Sequence, residues 1–355
     1  MAGCSQHISA QQYTVSAELG KGIIHGGTSS ILGSFPYGAG ASVSWPVVHE
    51  QNHRRPYRMG LMADFVHIPG GIAGDRADIG GFVRSPLFFT HPSALQHLPA
   101  GDLSFELCTG FGFYSLPRSY TGNEDNEFIA TPINCLIEFG PVYSQPLCIG
   151  GALVAGFKFV HNSNGFFAKP NVGLNFLQAE LGWRFDPKER RGEESRTLSF
   201  SDKYDARTSF FVMGAGGMTV PSTSQAHNGE LYPAYTAQAG WRYAYQRCRA
   251  IEFTLEGSYS FANDYDLIKA GEKTPFPLFL SVAASHVTYW GPVSVRLGCG
   301  FRFWEPHEWN RMFERVGVYY NFYGKSGRHQ FAGVAIKASF IRADYIEWSY
   351  GIDLW

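Results

Sequence analysis

Apolar and polar positions alternate along this chain in segment after segment. The pattern holds over 13–24, 41–48, 58–67, 80–90, 103–115, 134–143, 148–163, 173–185, 206–220, 232–246, 249–262, 278–289, 293–304, 315–323, 330–340 and 345–354. Alternation of period two is the signature of a strand with one face in a dry environment and one in a wet one. In 345–354 the dry face carries Ile346, Trp348, Tyr350, Ile352 and Leu354, and the wet face Glu347, Ser349, Gly351 and Asp353, because successive strand side chains point to opposite sides. The pattern predicts an all-β protein of about 12–16 antiparallel strands. No segment has a helical period and no linker interrupts the series, so residues 11–355 read as one domain.

Connection length adds a second regularity. The joins at 143–146, 246–249, 290–292 and 324–327 are tight, whereas 116–132, 221–231, 263–276 and 305–314 are longer and polar. Short turns at one end and long loops at the other are what an up-and-down barrel of the outer-membrane type has, with both chain ends on the short-turn side. Segment 186–205 breaks the rule, being long where a short turn is expected.

Composition narrows the choice. Aromatic residues make up 16% of the 355 positions, and Gly occurs 41 times. Charged residues are 17%, against about 25% in ordinary soluble domains. Aromatics at this density exclude disorder. Lys+Arg 29 against Asp+Glu 30 leaves no basic excess for a nucleic acid. No apolar run reaches the roughly 18 residues of a membrane helix. A soluble β-sandwich and a transmembrane β-barrel both fit these numbers; the connection lengths favour the barrel. Residues 1–10 end in Ile8, Ser9 and Ala10, the look of a secretory cleavage site, and read as a signal-peptide remnant. The six cysteines form no CxxC pair and read as small apolar fillers.

The richest stretch runs from 148 to 185. On its first strand Leu153, Ala155, Phe157, Phe159, His161 and Ser163 share a face, and Lys158 marks the opposite one as the lumen side. On the second, Asn175, Leu177, Ala179, Leu181 and Trp183 share the outward face. A symmetric hairpin about 164–173 sets His161 opposite Asn175. Polar groups ending an apolar stripe need partners. This trio suggests Ser163 as nucleophile, His161 as its base and Asn175 as the group that orients the imidazole.

The run His161, Asn162, Ser163, Asn164, Gly165, followed by Lys169, Pro170, Asn171, Val172, Gly173, Leu174 and Asn175, resembles the His-x-Ser-Asn signature of outer-membrane lipid A 3-O-deacylases, the PagL-like family. Residues 129–137 resemble the strand before that signature in the longer, Bacteroidetes-type members, and Ala343, Asp344, Tyr345, Ile346, Glu347 and Trp348 resemble their closing strand. The resemblance implies a barrel in a bacterial outer membrane that removes an ester-linked acyl chain from lipid A without metal or organic cofactor. It maps the catalytic pair onto His161 and Ser163 and an oxyanion role onto Asn164. The family's acidic third residue falls at Asn175, whose carbonyl still accepts from an imidazole but brings no charge. Strict alternation points Asn164 inward, so a bend at Asn164–Gly165 is needed for the Asn164 side chain or a backbone N–H there to reach the reacting carbonyl. Alternatives are a non-catalytic pore or structural barrel that keeps the motif as a relic, and an outer-membrane phospholipase.

Three further features have bland and functional readings. Lys169 and Arg184 either bind lipid A phosphates or are solvated loop and lumen residues. His49, Glu50, Gln51, Asn52 and His53 satisfy the HExxH pattern. Zinc chemistry there needs a helix to bring both histidines to one face, and Pro46 and Pro56 leave little room for one. The run from Lys188 to Glu194 is mixed in sign and reads as a solvated loop.

Overall fold

A computed structural model describes residues 11–23, 35–47, 57–70, 73–86, 101–119, 122–147, 151–171, 173–185, 208–221, 230–246, 249–271, 278–290, 292–304, 311–324, 327–339 and 342–354. It contains β1 (Gln12–Ile23), β2 (Tyr37–Val47), β3 (Tyr57–His67), β4 (Arg76–Pro86), β5 (Asp102–Tyr114), β6 (Ile133–Leu147), β7 (Gly151–Ser163) and β8 (Leu174–Phe185). There follow β9 (Thr208–Thr219), β10 (Tyr232–Gln246), β11 (Arg249–Ser260), α1 (Phe261–Lys269), β12 (Leu278–Trp290), β13 (Val293–Trp304), β14 (Met312–Tyr323), β15 (His329–Ser339) and β16 (Arg342–Asp353).

Each strand lies antiparallel to its sequence neighbours within its ring, and two long-range pairings close the rings. β8 pairs with β1, from Tyr13↔Phe185 to Ile23↔Asn175, and β16 pairs with β9, from Trp348↔Gly216 to Asp353↔Phe211. The expectation of one barrel over 11–355 is therefore corrected to two closed barrels, β1–β8 and β9–β16. Alternation and turn chemistry look the same around one large ring or two small ones. What distinguishes them is the pairing of a ring's first strand with its last, which leaves no local trace. The anomalous 186–205 falls between the two rings, outside the described residues. Compactness divides the chain into 1–164 with 170–199, and 165–169 with 200–355.

Two local expectations change. Tyr143, Ser144 and Gln145 are not a turn: β6 runs on through them, in register with Ala155, Val154 and Leu153. The 263–276 connection begins inside a helix, α1. Its Phe261, Tyr265 and Ile268 follow a helical spacing, but nine residues are too few for that period to stand out. The HExxH run, Cys4, Cys148, Cys248, Trp355 and Lys188–Glu194 lie outside the described residues, as do residues 1–10.

The wet and dry faces are reversed from those of a soluble barrel. Val15, Leu19, Leu61, Phe65, Ile79, Phe111, Phe157 and Leu181 are exposed on the outer wall of the first barrel, and Leu255, Val282, Phe301, Trp348 and Tyr350 on that of the second. The interiors hold the charges. In the first barrel Lys158 Nζ lies 2.8 Å from Glu106, 2.7 Å from Glu138 and 2.8 Å from Glu180, while Arg84 also holds Glu106 and Arg76 holds Asp78. In the second, Arg242 bridges Glu252 and Asp353, Arg315 bridges Glu256 and Glu347, and Lys337 adds a contact to Glu256 at 2.8 Å. Buried charges persist only when paired in this way.

Above the charged layer of the first barrel sits an apolar one. Phe128 and Ile129, from the connection between β5 and β6, are buried with Tyr114, Leu136, Val160, Leu174 and Phe176. The connection thus turns into its barrel. Asn126 Oδ1 accepts the N–H groups of Phe128 and Ile129, both at 3.0 Å.

Candidate functional site

The end of β7 and the start of β8 meet on the outer wall of the first barrel. The register pairs His161 with Asn175 on one side and with Ile137 on the other; Ser163 is paired with Cys135. The pairing expected from a symmetric hairpin is the one observed. Lys158 and Asn162 face the lumen and are buried, and Leu153 and Phe157 are exposed to the outside, so His161 and Ser163 share the outward face by alternation.

His161 Nδ1–H donates to Asn175 Oδ1 at 2.7 Å. That bond fixes the imidazole in the tautomer whose Nε2 is a free-electron-pair acceptor. Ser163 is only 3% exposed, and its Oγ has no hydrogen-bond partner among the described residues. The Ser163 hydroxyl and the His161 imidazole are therefore not hydrogen-bonded to each other in this structure.

The bend required after Ser163 is present. Gly165 has φ +63° and Phe166 φ +72°, left-handed values that only glycine adopts without strain. Asn164 is buried, and its backbone N–H donates to Asn171 Oδ1 at 3.0 Å. That N–H is therefore already engaged.

Gly173 closes the other end of the loop with φ +77°. A methyl group on it would lie 3.1 Å from His161 Cε1, 3.4 Å from Ser163 Cβ and 3.0 Å from Asn162 O. The space beside the Gly173 backbone that such a methyl group would fill is thus bordered by both the histidine and the serine.

Arg184 is at the opposite end of β8 from Asn175, where its Nη1 donates to Ser144 Oγ at 2.7 Å. At about 3.3 Å per residue, that is roughly 30 Å away, so a phosphate at the site is out of its reach. Lys169 Nζ donates to the Pro221 carbonyl and lies 5.3 Å from the Phe166 ring centre. Cys108, Cys135 and Cys299 are free thiols.

Sequence reading missed Asn171, Gly173 and Cys135 as neighbours of the site. Cys135 escaped because a turn placed at 143–146 gives β6 and β7 a different register from the observed one, in which Cys135 pairs with Ser163. Gly173 registered only as loop punctuation, because its role depends on how the loop returns over the strand end.

Residues 208–354 match the family model PagL_C, described as acyloxyacyl hydrolase, C-terminal domain. The match coincides with the second barrel and includes the closing-strand residues 343–348; the His161–Asn175 stretch lies outside it. Among solved structures, the chain is similar to "the outer membrane enzyme PagL", at 16% identity and TM-score 0.35, over 48% of this chain and 98% of that one. It is also similar to a mutant Rhodopseudomonas blastica porin, at 8% identity and TM-score 0.19, over 97% and 99%. No curated protein matches.

Proposed function

We propose that this chain, whose second barrel matches the family model described as acyloxyacyl hydrolase, C-terminal domain, is an outer-membrane esterase that removes an ester-linked acyl chain from lipid A at the outer wall of its first barrel. The apolar outer walls and charged interiors suit strands that cross a bilayer. A site on such a wall receives its substrate laterally from the lipid, so lipid A in the outer leaflet is the partner. The observation that carries the reading is the 2.7 Å His161–Asn175 bond on the outer face beside a buried, unpartnered Ser163 hydroxyl.

In this reading His161 Nε2 takes the proton from Ser163 Oγ as the oxygen attacks the acyl carbonyl. The Asn164 side chain and the Gly165 N–H stabilise the oxyanion; one such donor is typically worth about 3 kcal/mol. The protonated imidazole then gives its proton to the departing sugar oxygen, and the acyl group stays on Ser163. Water, deprotonated by His161, releases the fatty acid and restores the hydroxyl. Asn175 holds the ring throughout but supplies no charge to the imidazolium.

The test is mass spectrometry of lipid A from cells expressing wild type or Ser163→Ala, together with product analysis of purified protein given lipid A or phospholipid. The expected result is loss of one acyl chain from lipid A with wild type only. The missing charge at Asn175 favours one other reading, a barrel that keeps the motif as a relic. Identical lipid A profiles for wild type and variant would establish it, and fatty acid released from phospholipid alone would change the substrate class.

A further inference from the structure

The strand ladder fixes the His161 backbone against Asn175 and that of Ser163 against Cys135, but no side-chain bond in it sets the approach of the imidazole to the hydroxyl. Ser163 is the last residue of β7, and its hydroxyl has no partner. That approach is bordered by Gly173, where an added Cβ would meet His161 Cε1 at 3.1 Å and Ser163 Cβ at 3.4 Å. The question is then what holds Gly173.

Gly173 N–H donates to the Phe128 carbonyl at 3.1 Å. Phe128 lies in the plug that the β5–β6 connection drives into the barrel, and the plug is organised around one side chain, Asn126. This residue is completely buried. Its Oδ1 accepts from Phe128 N–H and Ile129 N–H, and its Nδ2 donates to the Leu116 carbonyl at 3.1 Å. A further bond, Arg118 N–H to the Ile129 carbonyl at 2.9 Å, ties the two limbs of the connection together. Phe128 and Ile129 then pack with Leu174 and Phe176, which follow Gly173 on β8. A continuous physical path therefore runs from the Asn126 amide through the Phe128 carbonyl to the Gly173 backbone and the space between His161 and Ser163.

We propose that Asn126, acting through Gly173, is a positioning residue for the Ser163–His161 pair, so that the connection plugging the first barrel also sets the geometry of the site on its outer wall. The inference rests on the esterase reading of that pair for its consequence in catalysis, but not for its structural content. Without the Asn126 amide, the N–H groups of Phe128 and Ile129 lose their acceptor inside an apolar layer, and the plug has to rearrange to find another. Gly173 moves with it. Displacements of about 1 Å between reacting groups cost on the order of 100-fold in rate.

Two readouts on the full chain in detergent micelles test this. One is the rate at which a fluorophosphonate labels Ser163. The other is the nitrogen-15 resonance of the His161 Nδ1–H, which reports the bond to Asn175 and the ring's surroundings whether or not the protein turns over. Asn126→Ala and Gly173→Ala are expected to slow labelling on the order of 100-fold and to shift or broaden the His161 signal. Asn126→Asp keeps an acceptor for the two N–H groups and is expected to recover most of the rate. Asn123→Ala, which removes a different side-chain bond to the Leu116 carbonyl in the same connection, is expected to change neither readout. A labelling rate and a His161 signal unchanged in either of Asn126→Ala and Gly173→Ala would overturn the proposal. Should wild-type Ser163 take no label, the esterase reading fails on its own; the His161 signal then still decides positioning, by its change or constancy in the two variants. Should Asn126→Ala not fold, Asn126→Ser, whose shorter side chain withdraws the acceptor from the two N–H groups, takes its place, and wild-type labelling with an unchanged His161 signal there would overturn the proposal.

Discussion

Each barrel holds a histidine by Nδ1 with a neighbouring strand's side chain, and the two cases are opposites. In the first barrel His161 is on the outer wall and its acceptor is an amide, Asn175, at 2.7 Å. In the second, His329 is in the lumen and its acceptor is a carboxylate, Asp353, at 3.0 Å. His329 has the better partner for an imidazolium, yet it is the poorer base. Its Nε2 is engaged with Asn321 Oδ1 at 3.2 Å, and Arg242 secures Asp353 on the other side. His161 has the weaker partner, and among the described residues its one side-chain bond is through Nδ1. A histidine–acid pair is thus not a catalytic signature by itself; what counts is the second nitrogen and where the ring faces. The connections differ too. Residues 164–173 separate β7 from β8 and bring Gly173 back over the strand end, whereas β15 and β16 are in register up to Ser339↔Arg342.

The hardest test of that comparison is to remove each histidine in turn. His161→Ala is expected to lower deacylation on the order of 10⁴-fold or more, since nucleophile and base act as a unit. His329→Ala should leave the rate within about twofold while loosening the second barrel, because its cost is a lost bond to a buried charge. Rates on purified lipid A and the heat-shifted mobility of the folded barrel on gels read the two effects separately. Equal losses of activity from both substitutions would end the distinction drawn here.

A second comparison lies in the lumens. Lys158 is the shared counter-ion of three glutamates, whereas Lys337 shares Glu256 with Arg315. Lys158→Met leaves two of its carboxylates, Glu138 and Glu180, without another cation among the ion pairs described here. Breaking a buried pair by removing one partner costs about 3–5 kcal/mol, and Lys158→Met is expected at or above that range. Lys337→Met should cost less, because Arg315 still holds Glu256. Urea unfolding from lipid vesicles measures both, and a larger loss for Lys337→Met would contradict the ion-pair assignment.

How far these features were legible in the sequence follows from their range. The strands were legible because alternation is local: β10 and β13 have the bounds expected of them, and the others differ by a few residues at an end. The His161–Asn175 pairing was legible because one hairpin sets it. Ring closure was not, since Tyr13↔Phe185 and Phe211↔Asp353 join strands remote in sequence. Nor was the part played by Asn126 and Gly173, which depends on a loop entering its own barrel. Polar loop residues look alike on paper whether they face water or, as Asn126 does, lie fully buried with an amide whose bonds shape the plug.

The finest test replaces the amide of the first barrel with the carboxylate of the second. Asn175→Asp is nearly isosteric, so its Oδ1 can occupy the acceptor position 2.7 Å from His161 Nδ1. A carboxylate there faces no charge in the resting enzyme but meets an imidazolium as the serine proton transfers. Its benefit is therefore larger in the transition state than in the ground state, which is the condition for raising kcat rather than lowering KM. A gain of about 1.4 kcal/mol corresponds to roughly tenfold in rate, and an increase of that order in kcat with KM little changed is the expected outcome. The opposing term is desolvation: a carboxylate on an apolar wall is costly unless its partner is charged. If that cost dominates, Asn175→Asp will be slower than wild type while Asn175→Ala is slower still, and the amide is then the better acceptor for a site exposed to lipid. An Asn175→Ala variant with wild-type kcat would mean that Asn175 does not hold the His161 ring for the reaction.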